Sequence, residues 1–292
     1  MSLFENKEEK AAWHMKRSRG IGGSEIPIIL GLSPYTTPYQ LWLEKTGEVL
    51  PRDIGSLPHV RRGVEGEIVC RALIEQEERA IYKPKTWEQA GTIYRCSDDG
   101  YNLDTETILE IKCQGKDAHE KAKTEGLIPE HYRIQCQWNL MVSGAKRCRF
   151  ISFRPEVPER VEISCEPNPS EWPALRKAAD EFWELVQSKT PPKLTDKDYI
   201  EIADIDFEEA SKEYVYLKAQ AAQLEDKILA LSKTLKKAAL NHRAVKNSHV
   251  KVLRTQRQGT VDYKRLAEDA GLDLVSYRGP STEVTTIYIV KE

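Results

Sequence analysis

The chain has 292 residues, 40% apolar and 31% charged, with 44 basic against 46 acidic side chains and a net charge of −2. That length holds one large domain with a small extra module, or two modest domains, and the apolar share suffices for a real core. The even charge gives no whole-protein signature of a nucleic-acid binder, although active-site carboxylates offset DNA-binding cations elsewhere. No apolar run approaches the roughly 18 residues of a membrane span, and residues 1–16 are too charged for a signal peptide. A soluble cytoplasmic protein is expected.

Residues 1–195 read as one α/β unit and residues 196–292 as an extension. A helix is expected over 5–15. Ser24 opens a second, with Glu25 in its first turn, and Thr37-Pro38 starts a third carrying Tyr39, Leu41, Trp42 and Leu43. Residues 51–58 read as an inserted loop. Residues 63–78 follow as a long helix with Val64, Ile68, Ala72 and Leu73 on one side. Strands are expected over 92–96, 107–113 and 148–153, with helices over 129–142 and 172–188, and Pro191-Pro192 closes the unit. An acidic stretch over 196–213 leads into a long helix. Its Leu217, Ala221, Leu224, Ile228, Leu231 and Leu235 form a heptad-like seam, suited to assembly or to packing on its own domain. Strand-like pieces at 250–253 and 282–290 flank a helix at 263–270, a small α/β tail.

The six cysteines (Cys70, Cys96, Cys113, Cys136, Cys148 and Cys165) include no C-x-x-C pair. That spacing argues against zinc and leaves a spread-out iron–sulfur site as the alternative to buried free thiols.

The segment S-D-D-G-Y-N-L-D-T-E-T-I-L-E-I-K-C, residues 97–113, concentrates the chemistry. On a strand over 107–113, Leu109, Ile111 and Cys113 share one face and enter the core. Ile108, Glu110 and Lys112 share the other, which presents Glu110 and Lys112 at the opposite surface. A turn around 103–106 folds 99–102 antiparallel to 107–110 and sets Asp99 opposite Glu110. Two carboxylates at one spot repel, and a divalent cation relieves them. Phosphodiester hydrolysis needs an activated water and neutralised charge at phosphorus, which Mg²⁺ supplies (with Mn²⁺ as a substitute) and Lys112 assists. A surface strand with alternating charges is the plain alternative for an acid-x-Lys triplet. Asp98 competes with Asp99 as ligand, the Asp-Gly pairing favouring Asp99.

Four blocks widen the pattern. They are W-H-M-K-R-S-R-G-I-G-G-S-E-I-P-I-I-L-G-L-S-P-Y (13–35) running on to P-Y-Q-L-W-L-E-K-T-G, R-G-V-E-G-E-I-V-C-R-A-L (62–73), the segment above, and Y-R-I-Q-C-Q-W-N-L-M-V-S-G (132–144). In this order and spacing, over about residues 13–155, they resemble the YqaJ and lambda-exonuclease family of PD-(D/E)XK nucleases. The resemblance implies an α/β restriction-endonuclease-like core: a mixed sheet flanked by helices, here with a C-terminal long helix and small α/β tail. It implies Glu67, Asp99, Glu110 and the Ile111 carbonyl as metal ligands, Lys112 as the catalytic lysine, and one of Gln135 and Gln137 near the nucleophile.

The resemblance further implies that Arg17, Gly22, Ser24 and Ser97 hold a DNA 5′-phosphate. Free amides at a helix N-terminus after Gly22-Gly23, with an arginine fork, would suit an anion; an ordinary helix cap is the alternative. The implied activity is 5′→3′ digestion of one strand of a double-stranded DNA end, leaving a 3′ overhang in phage or prophage recombination. A single-strand annealing protein is the implied partner and a homo-oligomeric trimer ring the implied assembly, which the C-terminal extension puts in question. The rivals are an endonuclease or nickase on the same core, and a catalytically inactive DNA-binding or assembly protein.

Lys233, Lys236, Lys237, Arg243, Lys246, Lys251, Arg254 and Arg257 form a basic run with no acid among them. It reads as a DNA-gripping surface, or as compensation for its helix dipole and the acidic stretch before it.

Overall fold

The structure is a computed structural model, and it describes residues 19–50, 57–238, 240–256, 259–273 and 279. The helix expected over 5–15 and the strand over 282–290 lie outside the described residues, as do residues 51–56 of the expected loop. The chain divides into two compact units, Met1–Ile200 and Glu201–Glu292. Asp198 belongs to the first because the Thr37 hydroxyl donates to its carboxylate at 2.5 Å.

Helix α1 spans only Ile26–Ile29, with Glu25 as its N-cap residue, and the chain turns away at Gly31, φ 71°. The helix expected to open at Ser24 is therefore a single turn, and Glu25 lies outside it. Helix α2, Pro38–Thr46, begins with a reciprocal cap: the Gln40 amide donates to Thr37 Oγ1 and the Thr37 amide to the Gln40 side chain. Helix α3 spans Pro58–Glu78 and buries Gly66, Cys70 and Ile74. The expected face was off: Ile68 is 54% exposed. Small residues decide the contact, since a Cβ on Gly66 would lie 2.3 Å from Cys113 Sγ.

Strands β1 (Lys83–Glu88), β2 (Arg95–Asn102) and β3 (Thr107–Cys113) form a meander. Helices α4 (Lys116–Glu125) and α5 (Glu130–Ser143) make the crossover to β4 (Arg147–Arg154), which runs parallel to β3 and pairs antiparallel with β5 (Glu159–Cys165). The sheet order is β1-β2-β3-β4-β5, and helix α6 (Trp172–Gln187) completes the unit. Residues 97–100 lie within β2 itself, where the sequence placed a strand over 92–96. Strand β1 carries three exposed lysine or proline positions and no alternation, so its sequence gave no strand signal.

Both faces of β3 are covered. Leu109 and Ile111 pack with Cys70, Ile74, Ile151 and Phe153, on the α3 side. Ile108 packs with Cys136, Leu140, Cys148 and Phe150, on the α5 side. All six cysteines are free thiols, and five are buried.

In the second unit, α7 (Ile205–Ala238) has acids Asp206 and Glu208 in its first turn and Lys236 and Lys237 in its last, complementing the helix dipole. None of its residues is buried, and its seam residues Leu224, Ile228 and Leu231 are exposed. Strands β6 (Ala244–Lys246) and β7 (Lys251–Leu253) form a hairpin, followed by α8 (Tyr263–Asp269). Lys246 faces Lys251 across the hairpin, and the Arg254 amide donates to the Arg243 carbonyl. Arg257 lies outside the described residues. Among the described residues no helix is long and apolar enough to cross a membrane.

Candidate active site

The β2–β3 ladder pairs Asn102 with Thr107, Tyr101 with Ile108 and Gly100 with Leu109, and ends there. One step further the register brings Asp99 to the level of Glu110. There the Asp99 carboxylate replaces the missing ladder bond: Ile111 N–H donates to Asp99 Oδ2 at 2.7 Å. A strand residue's N–H and C=O point to the same side, so the Ile111 carbonyl also faces the opening between the strands. Arg71 of α3 steadies this corner by donating to the Asp99 carbonyl at 2.7 Å. Gly100 is needed beneath it, because a Cβ there would lie 2.9 Å from Tyr82 Cβ.

Glu110 was expected at a surface; it is 2% exposed, because α5 lies over that face of β3. Its charge is met from three sides. Lys112 Nζ lies 2.5 Å from Oε1, Gln135 Nε2 donates to Oε1 at 2.6 Å, and Asn139 Nδ2 donates to Oε2 at 3.0 Å. Gln135 and Asn139 are four residues apart on α5 and so share a face.

Burial, then the Asp99 charge, push the Glu67 carboxyl up to about 7, with Lys112 opposing. Burial and Asp99 also push Glu110 up to about 7 against the pull of Lys112. Burial works against the Lys112 ammonium, but Glu110, Asp99 and Glu67 outweigh it and hold its pKa above the ordinary lysine value. Three carboxyl groups thus act on one lysine in a largely buried place. Among the described residues no group of three Asp, Glu, His or Cys side chains is gathered closely enough to hold a metal ion as they stand. The donors are nonetheless all hard oxygens, and the mutual repulsion of the carboxylates is what a divalent cation relieves. In kind they fit Mg²⁺ or Mn²⁺.

The geometry separates the sequence alternatives. Asp98 turns away: Trp87 Nε1 donates to its Oδ2 at 2.6 Å, and burial raises its pKa to about 7. Gln137 is also elsewhere. Its Nε2 donates to the Glu166 carbonyl at 2.7 Å, and its Oε1 accepts from Asn168 N–H at 2.8 Å. Gln135 is the glutamine beside Glu110.

The expected phosphate pocket is partly altered. Arg17 lies outside the described residues. Ile21 bridges to Tyr94 and so fixes residues 20–23 alongside the start of β2. The Gly22 amide is already used, donating to Glu25 Oε2 at 2.8 Å, and Glu25 in turn pairs with the buried Lys45 at 2.8 Å. A one-turn helix offers little dipole, and the protein's own carboxylate takes the Gly22 N–H. Ser24 and Ser97 are both exposed, and Asn139 lies between their segments: its Nδ2 lies 3.4 Å from the Ser97 carbonyl, and a Cβ on Gly23, the neighbour of Ser24, would lie 2.0 Å from its Oδ1.

Asn139 was missed by the sequence reading. It is fully buried, it holds Glu110, and only a glycine at 23 lets the 22–24 turn pack against it. Its signal was its position one helical turn beyond Gln135.

Residues 12–146 match the YqaJ-like viral recombinase domain. The Bacillus subtilis (strain 168) protein YqaJ is 26% identical, over 80% of this chain and 80% of its own length. The crystal structure of the alkaline exonuclease LHK-Exo from Laribacter hongkongensis superposes with a TM-score of 0.53 at 18% identity, covering 73% of this chain and 99% of that one. The same exonuclease in complex with dAMP also gives 0.53, at 17% identity over 74% of this chain. At that identity the likeness shows a shared fold.

Proposed function

We propose that this chain, whose residues 12–146 match the YqaJ-like viral recombinase domain, is a divalent-metal-dependent exonuclease. It digests one strand of linear duplex DNA in the 5′→3′ direction and leaves 3′ single-stranded overhangs for phage-type recombination. The observation that carries this reading is the convergence of Lys112 and Gln135 on Glu110, beside Asp99, where β2 and β3 part.

Glu67, Asp99, Glu110 and the Ile111 carbonyl would hold Mg²⁺ or Mn²⁺, which supplies Lewis acidity at the phosphate and lowers the pKa of the attacking water. The chain's own groups do the rest. Lys112, kept protonated by its carboxylate neighbours, donates a charged hydrogen bond to the water or to the phosphoryl oxygen as negative charge grows there. Glu110 and Gln135 fix the lysine and the approach of the water. Water oxygen bonds to phosphorus, the bond to the 3′ oxygen breaks, and that oxygen takes up a proton. The products are a 5′-mononucleotide and a strand with a new 5′-phosphate. Every cut thus regenerates the end that Arg17, Ser24 and Ser97 are proposed to hold. A single-strand annealing protein is the natural recipient of the exposed 3′ strand, and a ring-shaped trimer the natural way to stay on the duplex.

The test uses linear duplexes with and without a 5′-phosphate beside a closed circle, with Mg²⁺ or with EDTA. The expected result is fastest loss of the phosphorylated linear strand, slower loss of the hydroxyl end, an intact circle, and no digestion in EDTA. Nicking of the circle would make the chain an endonuclease. No cutting of any substrate in Mg²⁺ would make it a DNA-binding protein.

A further inference from the structure

Tyr35 lies in the loop between α1 and α2 and is 78% exposed, yet it is firmly placed. Its amide and that of Thr36 donate to Ser33 Oγ at 3.2 and 3.3 Å, and Lys197 donates to the Pro34 carbonyl at 3.4 Å. The Tyr35 ring meets His131 edge-on, with centroids 6.4 Å apart at 82°. The His131 and Tyr132 ring centroids lie 4.0 Å apart. Tyr132 in turn packs on Phe150 and lies under Lys112, whose Nζ is 5.6 Å from the ring centroid. An aromatic column therefore runs from an open ring face to the lysine beside Glu110. His131 Nε2 within it is buried without a hydrogen-bond partner among the described residues.

Such a ring contributes little to the core, and its loop spends several hydrogen bonds holding it outward. A rigid, solvent-facing aromatic ring near a phosphodiester-cleaving centre suits one ligand chemistry above others, the π-face of a nucleobase. Inside a duplex both faces of a base are covered. Faces become available at an end, where a terminal base can leave its partner. We propose that Tyr35 is a stacking platform for the base of the nucleotide being removed, held in place from behind by His131. The column sets that nucleotide's phosphodiester beside Lys112. This rests on the nuclease reading above and adds to it a base-holding subsite that no metal ligand or phosphate contact provides.

The test places 2-aminopurine at the 5′-terminal nucleotide of a duplex, or at an interior position, and follows its fluorescence on binding the whole protein in EDTA. Initial rates on unlabelled duplex in Mg²⁺ are measured alongside. Wild type should quench the terminal probe and leave the interior one little changed. Tyr35→Phe and Tyr35→Trp should keep the quenching. Tyr35→Ala should lose it and raise KM roughly ten- to hundredfold, the range for one lost base stack, with kcat within about twofold. Circular dichroism separates misfolding from lost stacking, and the Phe and Trp variants decide the matter if Tyr35→Ala does not fold. Quenching and KM unchanged in Tyr35→Ala, or lost equally in Tyr35→Phe, overturn the platform while leaving the nuclease reading intact. No binding or cutting of any duplex by wild type overturns both.

Discussion

The two units use apolar residues in opposite ways. In the first, β3 and β4 bury Ile108, Leu109, Ile111, Phe150, Ile151 and Phe153 completely between α3 and α5. In the second, a 34-residue helix carries a regular apolar seam and buries none of it. The periodicity was equally clear in both. Spacing therefore tells which residues share a face, while burial depends on whether another element lies across that face. The contrast bears on function: a buried Glu110 acquires neighbours that perturb it, whereas the lysines of α7 and the β6–β7 hairpin remain solvated charges.

The strongest way to break this comparison is stability. Phe150→Ala should cost about 3–5 kcal/mol, the usual range for a core aromatic, whereas Ile228→Ser on α7 should stay within about 0.5 kcal/mol, as exposed sites do. Urea melts of both variants would show it. A comparable loss from Ile228→Ser would mean the seam is covered in solution.

A smaller effect is expected one shell out from the charged groups. Asn139→Ala removes a donor to Glu110 Oε2, and Gly23→Ala forces a Cβ against the same amide. Each should lower metal affinity or cleavage by roughly ten- to a hundredfold, the range for residues that orient metal ligands. Mn²⁺ titration calorimetry measures the first quantity directly. Wild-type affinity and rate in both variants would leave Asn139 a packing residue only.

The smallest effect belongs to the second unit. Lys246 and Lys251 face each other across the hairpin with like charge, an arrangement that a phosphate backbone would relieve. If they touch DNA, replacing both with glutamine should flatten the salt dependence of binding by roughly 0.9 log units per lost contact for each tenfold change in salt. An unchanged slope would favour the alternative in which the basic run only balances its helix and the acids before it.

Much of the site was legible because β-strands alternate strictly. The period of two put Glu110 and Lys112 on one face, and the turn at 103–106 set the register that brings Asp99 level with Glu110. Helix α5 was harder. Gln135 and Gln137 lie about 200° apart around it, but Ile134, Cys136, Trp138, Leu140 and Met141 are buried nearly all the way round, so no polar stripe marked the outward face. Glu25 misled because an acid near a helix start usually complements the dipole; here it reaches back to the Gly22 amide and Lys45. Strand β1 stayed hidden because it is an exposed edge whose pairing partner supplies the order.

The central claim is that Glu110, flanked by Lys112 and Gln135 and level with Asp99, is the chemical centre of a metal-dependent nuclease. The most direct measurement is release of acid-soluble nucleotides from a 5′-phosphorylated linear duplex by wild type and by Glu110→Gln, each in Mg²⁺, with thermal melts to confirm folding. Glu110→Gln keeps the shape of the side chain, and the melts need only show that it is folded at the assay temperature, since the amide meets the donors Lys112, Gln135 and Asn139 and some loss of stability is expected. Its rate should fall on the order of a thousandfold or more, as expected when one member of a unit-acting site is removed. A folded Glu110→Gln chain that releases nucleotides at the wild-type rate would contradict the account.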